Sequence, residues 1–193
     1  KTQLQVDMPK LLEKESSIDK IIQPLIQQLK HRNINHWFDY SGLLAIARKQ
    51  LMAEFSDVEI TLLDIDLIAI QKIIEQLFAD YLVISYRIRR DSGPFHKNDI
   101  ISIDISPYSQ SSRESMSMEP PVISLVFKKI IGPICFSTNP AGNIVQKSSK
   151  YFLNSERIEY NSSLLNVPVN SPDYLRELYG DNWEEPADYW DGN

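Results

Sequence analysis

The chain has 193 residues, with 20 Lys and Arg against 26 Asp and Glu, a formal net charge of −6 and 42% hydrophobic residues. This length predicts a single domain that can bury roughly two thirds of the surface its unfolded form exposes. The composition excludes a disordered tail, and the negative charge argues against nucleic acid or anionic lipid as a general partner. No apolar run approaches the roughly 18 residues of a membrane span.

The charge deficit is confined to the C-terminus, where residues 172–193 carry seven acids and one base. We therefore divide the predicted domain, 1–193, into a helical lead-in at 1–33, a neutral body, and an acidic C-terminal helix and tail at 172–193. One cysteine, Cys135, allows no internal disulfide and favours a reducing compartment. We expect a cytoplasmic protein, associated with membranes only through partners. Because the first residue is Lys1, we also expect a processed form or part of a longer protein.

The first element that the sequence predicts is a helix near the N-terminus. Apolar residues from Ile18 to Leu29 repeat at i, i+3, i+4 and i+7 after Ser16 and Ser17, which predicts an amphipathic helix with a serine cap and a kink at Pro24. A short apolar and aromatic run then leads to a tight turn and a second helix, over residues 34–51.

Alternation of apolar and polar residues marks three strands in the middle of the chain. These are 57–63, 82–89 and 101–106, with a helix at 67–81 and a Gly-Pro turn at 93–94 between them.

The remaining elements are less regular. We predict a polar surface loop over 109–121, a strand over 122–127 and a turn at 139–143. Ser171 followed by Pro172 predicts a helix start, and Gly180 its end.

Three carboxylates stand out as a candidate metal site. Asp57 and Glu59 are two residues apart on a predicted strand, so both project from one face with Cα atoms about 6.6 Å apart. Asp104 lies on the polar face of a later strand. Three crowded carboxylates repel one another unless a cation such as Mg²⁺ joins them. The alternative is that all three simply line the solvent face of a sheet.

Four segments together resemble the LicD and fukutin family of phosphotransferases. The first, residues 34–48, reads INHWFDYSGLLAIAR, and the acidic strand at 57–60 reads DVEI. The third, at 96–107, reads HKNDIISIDISP, and the last combines Val167-Pro168 with Tyr174-Leu175 and Tyr179-Gly180-Asp181. The acidic strand departs from the family pattern, with Phe55-Ser56 where aspartates are usual and Glu59 where Asp is usual.

The resemblance implies an α+β fold, a small nucleotidyltransferase-like mixed sheet flanked by helices. It also implies transfer of a phospho-alcohol, such as phosphocholine or ribitol phosphate, from a CDP-activated donor to a hydroxyl of a cell-surface glycan. Mg²⁺, or Mn²⁺ in its place, would be the cofactor. Asp57 and Glu59 would hold the ion, and Asp104 would be a third ligand or the base that accepts the hydroxyl proton.

The donor phosphate has five candidate ligands. Ser41 and Gly42 offer backbone N–H groups at a helix start, although the same pair suits an ordinary strand-to-helix turn. The cationic candidates, each of which can equally be a solvated surface residue, are Arg48, Arg87 and Arg89.

On the acceptor side the resemblance places Asp181 and Trp183, and His96 is a candidate partner of the acids. His96 can equally be a loop residue, and the Tyr179-Gly180-Asp181 stretch an ordinary helix end. Asp64 and Asp66 repeat the acidic spacing, but we assign them to the cap of the next helix.

Two other functions remain open. One is a catalytically degenerate relative that binds a nucleotide or glycan without turnover, and the other is a nucleotidyltransferase that transfers a nucleoside monophosphate. The chain could act alone or as a module of a larger glycan-synthesising protein.

Overall fold

The computed structural model describes residues 8–63, 67–107, 123–139 and 141–185. These ranges contain four α-helices: α1 (Met8–His31), α2 (Tyr40–Arg48), α3 (Leu67–Leu77) and α4 (Ser171–Tyr179). They also contain nine strands: β1 (His36–Asp39), β2 (Val58–Leu63), β3 (Tyr81–Arg87), β4 (Ile100–Pro107), β5 (Ile123–Ile131), β6 (Ile134–Thr138), β7 (Ile144–Ser148), β8 (Ser155–Tyr160) and β9 (Ser163–Pro168). Short 3₁₀ turns lie at Met52–Glu54 and Ser149–Tyr151.

The main sheet is mixed, in the order β1-β2-β5-β4-β3. β2 and β5 run parallel, and the other neighbouring pairs are antiparallel. The second half of β5 continues into an antiparallel β6 and β7, while β8 and β9 form a separate hairpin. This confirms the predicted α+β class with a small mixed sheet flanked by helices. None of the helices in the described ranges has the length and apolar character needed to cross a membrane.

Period-two alternation gives the main sheet one apolar and one polar face. Ile60, Leu125 and Ile103 are in register on adjacent strands and are buried in the large hydrophobic core, which also contains the apolar face of α1. Most of the residues that alternate with them are polar or charged and project from the opposite face, which also carries Val126 and Ile84. The candidate acids belong to this polar face.

Helix α1 is longer than its periodicity predicts. It begins at Met8, so the expected cap at Ser16 and Ser17 is wrong, and the Ser17 hydroxyl donates to the Glu13 carbonyl inside the helix. The first turns of α1 are polar, and their side chains form hydrogen bonds with distant residues that a hydropathy pattern cannot predict. Lys14 donates to the Ala53 and Phe55 carbonyls, and buried Glu15 accepts from the Ala53 N–H and the Tyr160 hydroxyl.

The strand predictions need two corrections. β3 ends at Arg87, so Arg89 lies beyond the strand and does not share a strand face with Arg87. β5 runs to Ile131 rather than ending at residue 127, and β6 to β9 are absent from the sequence prediction.

The turn at 139–143 and the helix from Ser171 to a Gly180 cap are confirmed. The predicted loop at 109–121, the pair Asp64 and Asp66, and the tail after residue 185 lie outside the described residues.

Candidate active site

The polar face carries a row of acidic and hydroxyl side chains across four strands. Asp39 of β1 is in register with Glu59 of β2, Glu59 with Ser124 of β5, and Ser124 with Asp104 of β4. In-register residues on neighbouring strands project side by side from the same face. Asp57 immediately precedes β2 and joins the row. β5 therefore separates the two strands that carry the acids, and Ser124 fills the gap between them.

Ser124 brings Asp57 and Asp104 together. Its hydroxyl oxygen lies 2.9 Å from Asp57 Oδ2 and 2.8 Å from Asp104 Oδ1. A hydroxyl has one proton to donate, whereas an ionised carboxylate can only accept. The second carboxylate must therefore hold a proton itself, or a cation must neutralise it.

The Glu59 carboxylate is held by Ser41, the second residue of α2. Ser41 N–H donates to Glu59 Oε2 over 2.9 Å, and the Ser41 hydroxyl contacts the same oxygen. That hydroxyl also lies 2.5 Å from the Asp57 carbonyl oxygen. One hydroxyl proton serves one of these two acceptors, and a proton held by Glu59 completes the other hydrogen bond.

Burial and mutual repulsion favour protonated acids at this site. Burial, followed by the charge of Asp57, raises the pKa of Glu59 to about 8, against a smaller opposing effect of Ser41. Burial and Asp57 likewise raise the pKa of Asp104, although hydrogen bonds from Ser124 and Tyr86 oppose the change. The site thus carries more negative charge than its own donors compensate.

These acids fit a hard divalent cation by their chemistry. Mg²⁺ prefers oxygen ligands and typically binds through one or two carboxylates, with phosphate oxygens and water completing its octahedron. Asp57 and Asp104, one hydroxyl apart, can supply two. Within the described ranges, no three or more His, Cys, Asp or Glu side chains are already arranged to hold a metal ion. Glu59 would have to turn from Ser41 to become a third ligand.

Ser41 and Gly42 are engaged with β2 in this structure. Gly42 is buried, and a Cβ there would lie 3.0 Å from the Glu59 carbonyl oxygen, 3.0 Å from Val58 Cγ1 and 3.3 Å from a Phe38 ring carbon. The glycine therefore allows α2 to pack directly on the β2 backbone. The Ser41 N–H, a candidate phosphate donor, already serves Glu59.

The three candidate arginines lie on two parts of the fold, with Arg48 at the end of α2 and Arg87 and Arg89 at and just beyond the end of β3. Arg48, at the end of α2, donates from Nε to the Trp183 carbonyl over 2.7 Å and from Nη2 to the Glu185 carbonyl over 2.8 Å. Arg87 donates to the Asn98 carbonyl, and Arg89 is exposed. Phosphate binding by these arginines remains a prediction.

The acceptor-side candidates do not contact the acids in any recorded hydrogen bond or ion pair of the described residues. His96 is exposed at the β3–β4 connection, with Nδ1 4.0 Å from Asp91. Asp181 is exposed and pairs with Arg176 over 3.3 Å. Trp183 is buried, and its carbonyl accepts from Arg48.

A second polar cluster, centred on Asp39 and Lys128, lies beside the acids and was missed by sequence reasoning. Lys128 Nζ lies 2.5 Å from Asp39 Oδ2, and both side chains are almost completely buried. Thr61 donates to the same Asp39 oxygen over 2.6 Å, while the Tyr174 hydroxyl donates to Oδ1 over 2.9 Å.

Lys128 keeps its charge despite its burial. Burial lowers the pKa of Lys128, but Asp39 and Tyr40 oppose this, and the net effect is to raise it. The ammonium also lies 4.7 Å from the Tyr40 ring centroid and 4.4 Å from that of Phe152, within cation–π range. In the sequence, Lys128 directly follows the apolar run 122–127, a pattern that predicts an exposed strand end rather than a buried ion pair.

The four segments that resemble the phosphotransferase family converge on this polar face. Asp39, from the first segment, contacts Thr61 just beyond the second and Tyr174 from the fourth. Ser124 links Asp57 of the second segment to Asp104 of the third.

No family model matches the chain, and no curated protein does. Similar solved structures include the lincosamide antibiotic adenylyltransferase LnuA with lincomycin bound. The two chains are 12% identical in sequence and superpose with a TM-score of 0.48, and the match covers 87% of this chain and 89% of the LnuA chain.

Proposed function

We propose that this chain is a divalent-cation-dependent transferase that moves a phosphorus-containing group from a nucleotide donor to a hydroxyl acceptor. The observation that carries the proposal is the pairing of Asp57 and Asp104 across the Ser124 hydroxyl, with Glu59 near enough to Asp57 for that charge to raise its pKa. Half-buried acids that repel one another destabilise a fold, and such groups are concentrated at functional sites. Holding a cation against phosphate oxygens is a purpose that this donor set fits.

The reaction would proceed by attack at phosphorus. The acceptor hydroxyl oxygen forms a bond to the phosphorus atom, the anhydride P–O bond breaks, and its electron pair leaves with the departing phosphate. Asp104 would either bind the ion beside Asp57 or accept the hydroxyl proton, for which a raised pKa suits it. Asp57 and, after leaving Ser41, Glu59 would hold Mg²⁺ or Mn²⁺, which when bound neutralises the donor oxygens.

Two donor chemistries are compatible with these acids. A nucleoside triphosphate would give nucleoside monophosphate transfer and release pyrophosphate. A CDP-alcohol would give phospho-alcohol transfer to a glycan and release CMP. What supports the second is the resemblance of four segments to the LicD and fukutin family, together with the contacts that Asp39, Asp57 and Asp104 from these segments make at the polar face.

Loss of turnover is the competing proposal. It is supported by the contacts of the Ser41 N–H and hydroxyl with Glu59 Oε2, which already engage one oxygen of this candidate ligand. Such a protein would bind a nucleotide or glycan at the same face without breaking the anhydride.

Product analysis by mass spectrometry separates these proposals. The protein is incubated with Mg²⁺ and either nucleoside triphosphates or CDP-alcohols, together with a hydroxylated glycan acceptor. We expect pyrophosphate or CMP release that is abolished by Asp57→Asn and by EDTA. Asp91→Asn, an exposed acid on the β3–β4 connection, is the matched control and should retain activity. Donor binding without any release would support the non-catalytic proposal, and undiminished activity of Asp57→Asn would refute the metal assignment.

A further inference from the structure

A pocket of about 400 Å³ lies away from the acids, between the C-terminal end of α1, the start of β1 and the β8–β9 hairpin. It is lined by Lys30, Asn33, Ile34, Asn35, His36, Trp37, Ser155, Arg157 and Asn166. This volume is within the range of small-molecule sites. His36, which lines the pocket, lies three residues before Asp39 on β1, and Asp39 is in register with Glu59.

The charge of this pocket is the reverse of the charge of the chain. The chain carries a net charge of −6, yet the lining contains two cations, Lys30 and Arg157, and no acid. Lys30 Nζ donates to the Leu164 carbonyl over 3.2 Å, which leaves two of its three N–H donors for another partner. Three asparagines and a serine add neutral hydrogen-bonding groups.

The C-terminal end of α1 does not cancel this positive charge. Free carbonyls at a helix end would repel an anion. Here the N–H groups of Arg32, Asn33 and Ile34 donate to the carbonyls of Gln28, Lys30 and Leu29. Lys30 and His31 also lie in the last turn of the helix.

His36 fixes the orientation of the Asn166 amide. His36 Nδ1 lies 2.8 Å from the Ile34 carbonyl, so Nδ1 must be the donor of the pair. Burial, with a contribution from the Lys30 charge, lowers the pKa of His36 and keeps the ring neutral. Nε2 is then an acceptor, and Asn166 Nδ2 faces it over 3.4 Å.

The same orientation leaves a buried acceptor without a donor. Asn166 Oδ1 has no hydrogen-bond partner among the described residues. A buried carbonyl oxygen of this kind is normally paired. A hydroxyl group of a ligand in the pocket would supply the missing donor.

We propose that this pocket binds a small phosphomonoester that also carries hydroxyl groups, such as a sugar phosphate. Lys30 and Arg157 would bind the phosphate, and Asn166 would accept from a ligand hydroxyl. The proposal is independent of the transferase site, because none of the acids Asp57, Glu59 and Asp104 lines the pocket.

The indole N–H of Trp37 provides a local probe, since Trp37 lines the pocket and donates to the Asn154 carbonyl. Glucose 6-phosphate, inorganic phosphate and glucose are titrated separately into ¹⁵N-labelled protein, and the Trp37 indole cross-peak is followed by NMR. We expect saturable shifts with glucose 6-phosphate, weaker binding of inorganic phosphate, and no shift with glucose. Absence of a saturable shift with glucose 6-phosphate would overturn the proposal, and so would equal binding of glucose.

Substitutions of Arg157 and Asn166 test whether these residues bind glucose 6-phosphate. Arg157→Gln should weaken glucose 6-phosphate binding at least tenfold, and Asn166→Leu should reduce its preference over inorganic phosphate. Lys72→Gln removes one exposed cation on α3 and should leave binding within twofold of the unmodified chain. Equal losses in Lys72→Gln and Arg157→Gln would show a non-specific charge effect and refute the site. Asp104→Asn should still bind, whatever becomes of the transferase proposal.

Discussion

Ionisation of Glu59 should make the stability of the cation-free protein fall as pH rises. The Glu59 carboxylate is largely buried beside Asp57, and the donors that reach it belong to Ser41. Its pKa is raised to about 8 from an ordinary value of 4.5. Glu59→Gln is the perturbation that removes this ionisation and keeps the shape of the side chain.

The sign of the effect follows from proton binding. Between the ordinary and the raised pKa, the folded protein holds a proton on Glu59 that the unfolded chain has released. Stability is therefore fully present below the ordinary pKa and is lost as pH rises through the raised one. One pH unit corresponds to about 1.4 kcal/mol, so the rise from about pH 5 to pH 8 removes at most about 4 kcal/mol of unfolding free energy.

Urea unfolding followed by circular dichroism in EDTA measures this loss over the same pH range. Burial lowers the pKa of His36, which gives the opposite pH dependence, but that contribution is common to both proteins. The difference between the unmodified chain and Glu59→Gln therefore isolates Glu59. Glu75→Gln, on the exposed face of α3, is the matched control and should follow the unmodified chain. Parallel pH profiles for the unmodified chain and Glu59→Gln would refute the reasoning.

Three further substitutions test the packing around the site, the first two by urea unfolding and the third by tryptophan fluorescence. Lys128→Met should cost about 3–5 kcal/mol because it leaves Asp39 buried without its cation, and adding Asp39→Asn should cost less than the sum of the single changes; additive losses would contradict the ion pair. Gly42→Ala should cost about 1–3 kcal/mol because its Cβ meets a backbone oxygen, and an unchanged stability would contradict the close packing. Arg48→Gln should release the Trp183 backbone and shift tryptophan emission to longer wavelength; a raised KM for the nucleotide donor with unchanged emission would instead indicate phosphate binding.

The sequence predicts the elements whose side-chain period matches their burial. Alternation in residues 57–63 and 101–106 matches β2 and β4, because Val58, Ile60 and Leu62 of β2 and alternate isoleucines of β4 lie in the core, even though the second face of β2 is buried as well. The predicted helix start at Ser171-Pro172 and end at Gly180 likewise match α4, although the N-cap is Asn170 and Ser171 is the first helical residue.

Elements outside the main core are not visible in the sequence. β8 is exposed along most of its length, so no apolar alternation marks it. The first turns of α1 are polar, and they are held by contacts from Lys14 and Glu15 to residues about 40 positions away, which periodicity cannot detect.

The candidate site likewise has residues that the sequence predicts and contacts that it does not. Asp57, Glu59 and Asp104 are recognisable from their spacing. The bridge between two of them depends on Ser124, a single polar residue in the apolar run 122–127. The partner of Asp39 is Lys128, 89 positions away. Both contacts arise only because β5 inserts between β2 and β4.

Binding of Mn²⁺ measured by electron paramagnetic resonance tests the central claim most directly, because Mn²⁺ replaces Mg²⁺ at carboxylate sites. The protein is titrated at about pH 7.5 and compared with Asp57→Asn/Asp104→Asn, which keeps the polar contacts of Ser124 and removes both charges. We predict a single bound ion per chain, strengthened by nucleotide and lost in the double variant. Equal Mn²⁺ binding by the two proteins, or none by either, would contradict the assignment of these acids.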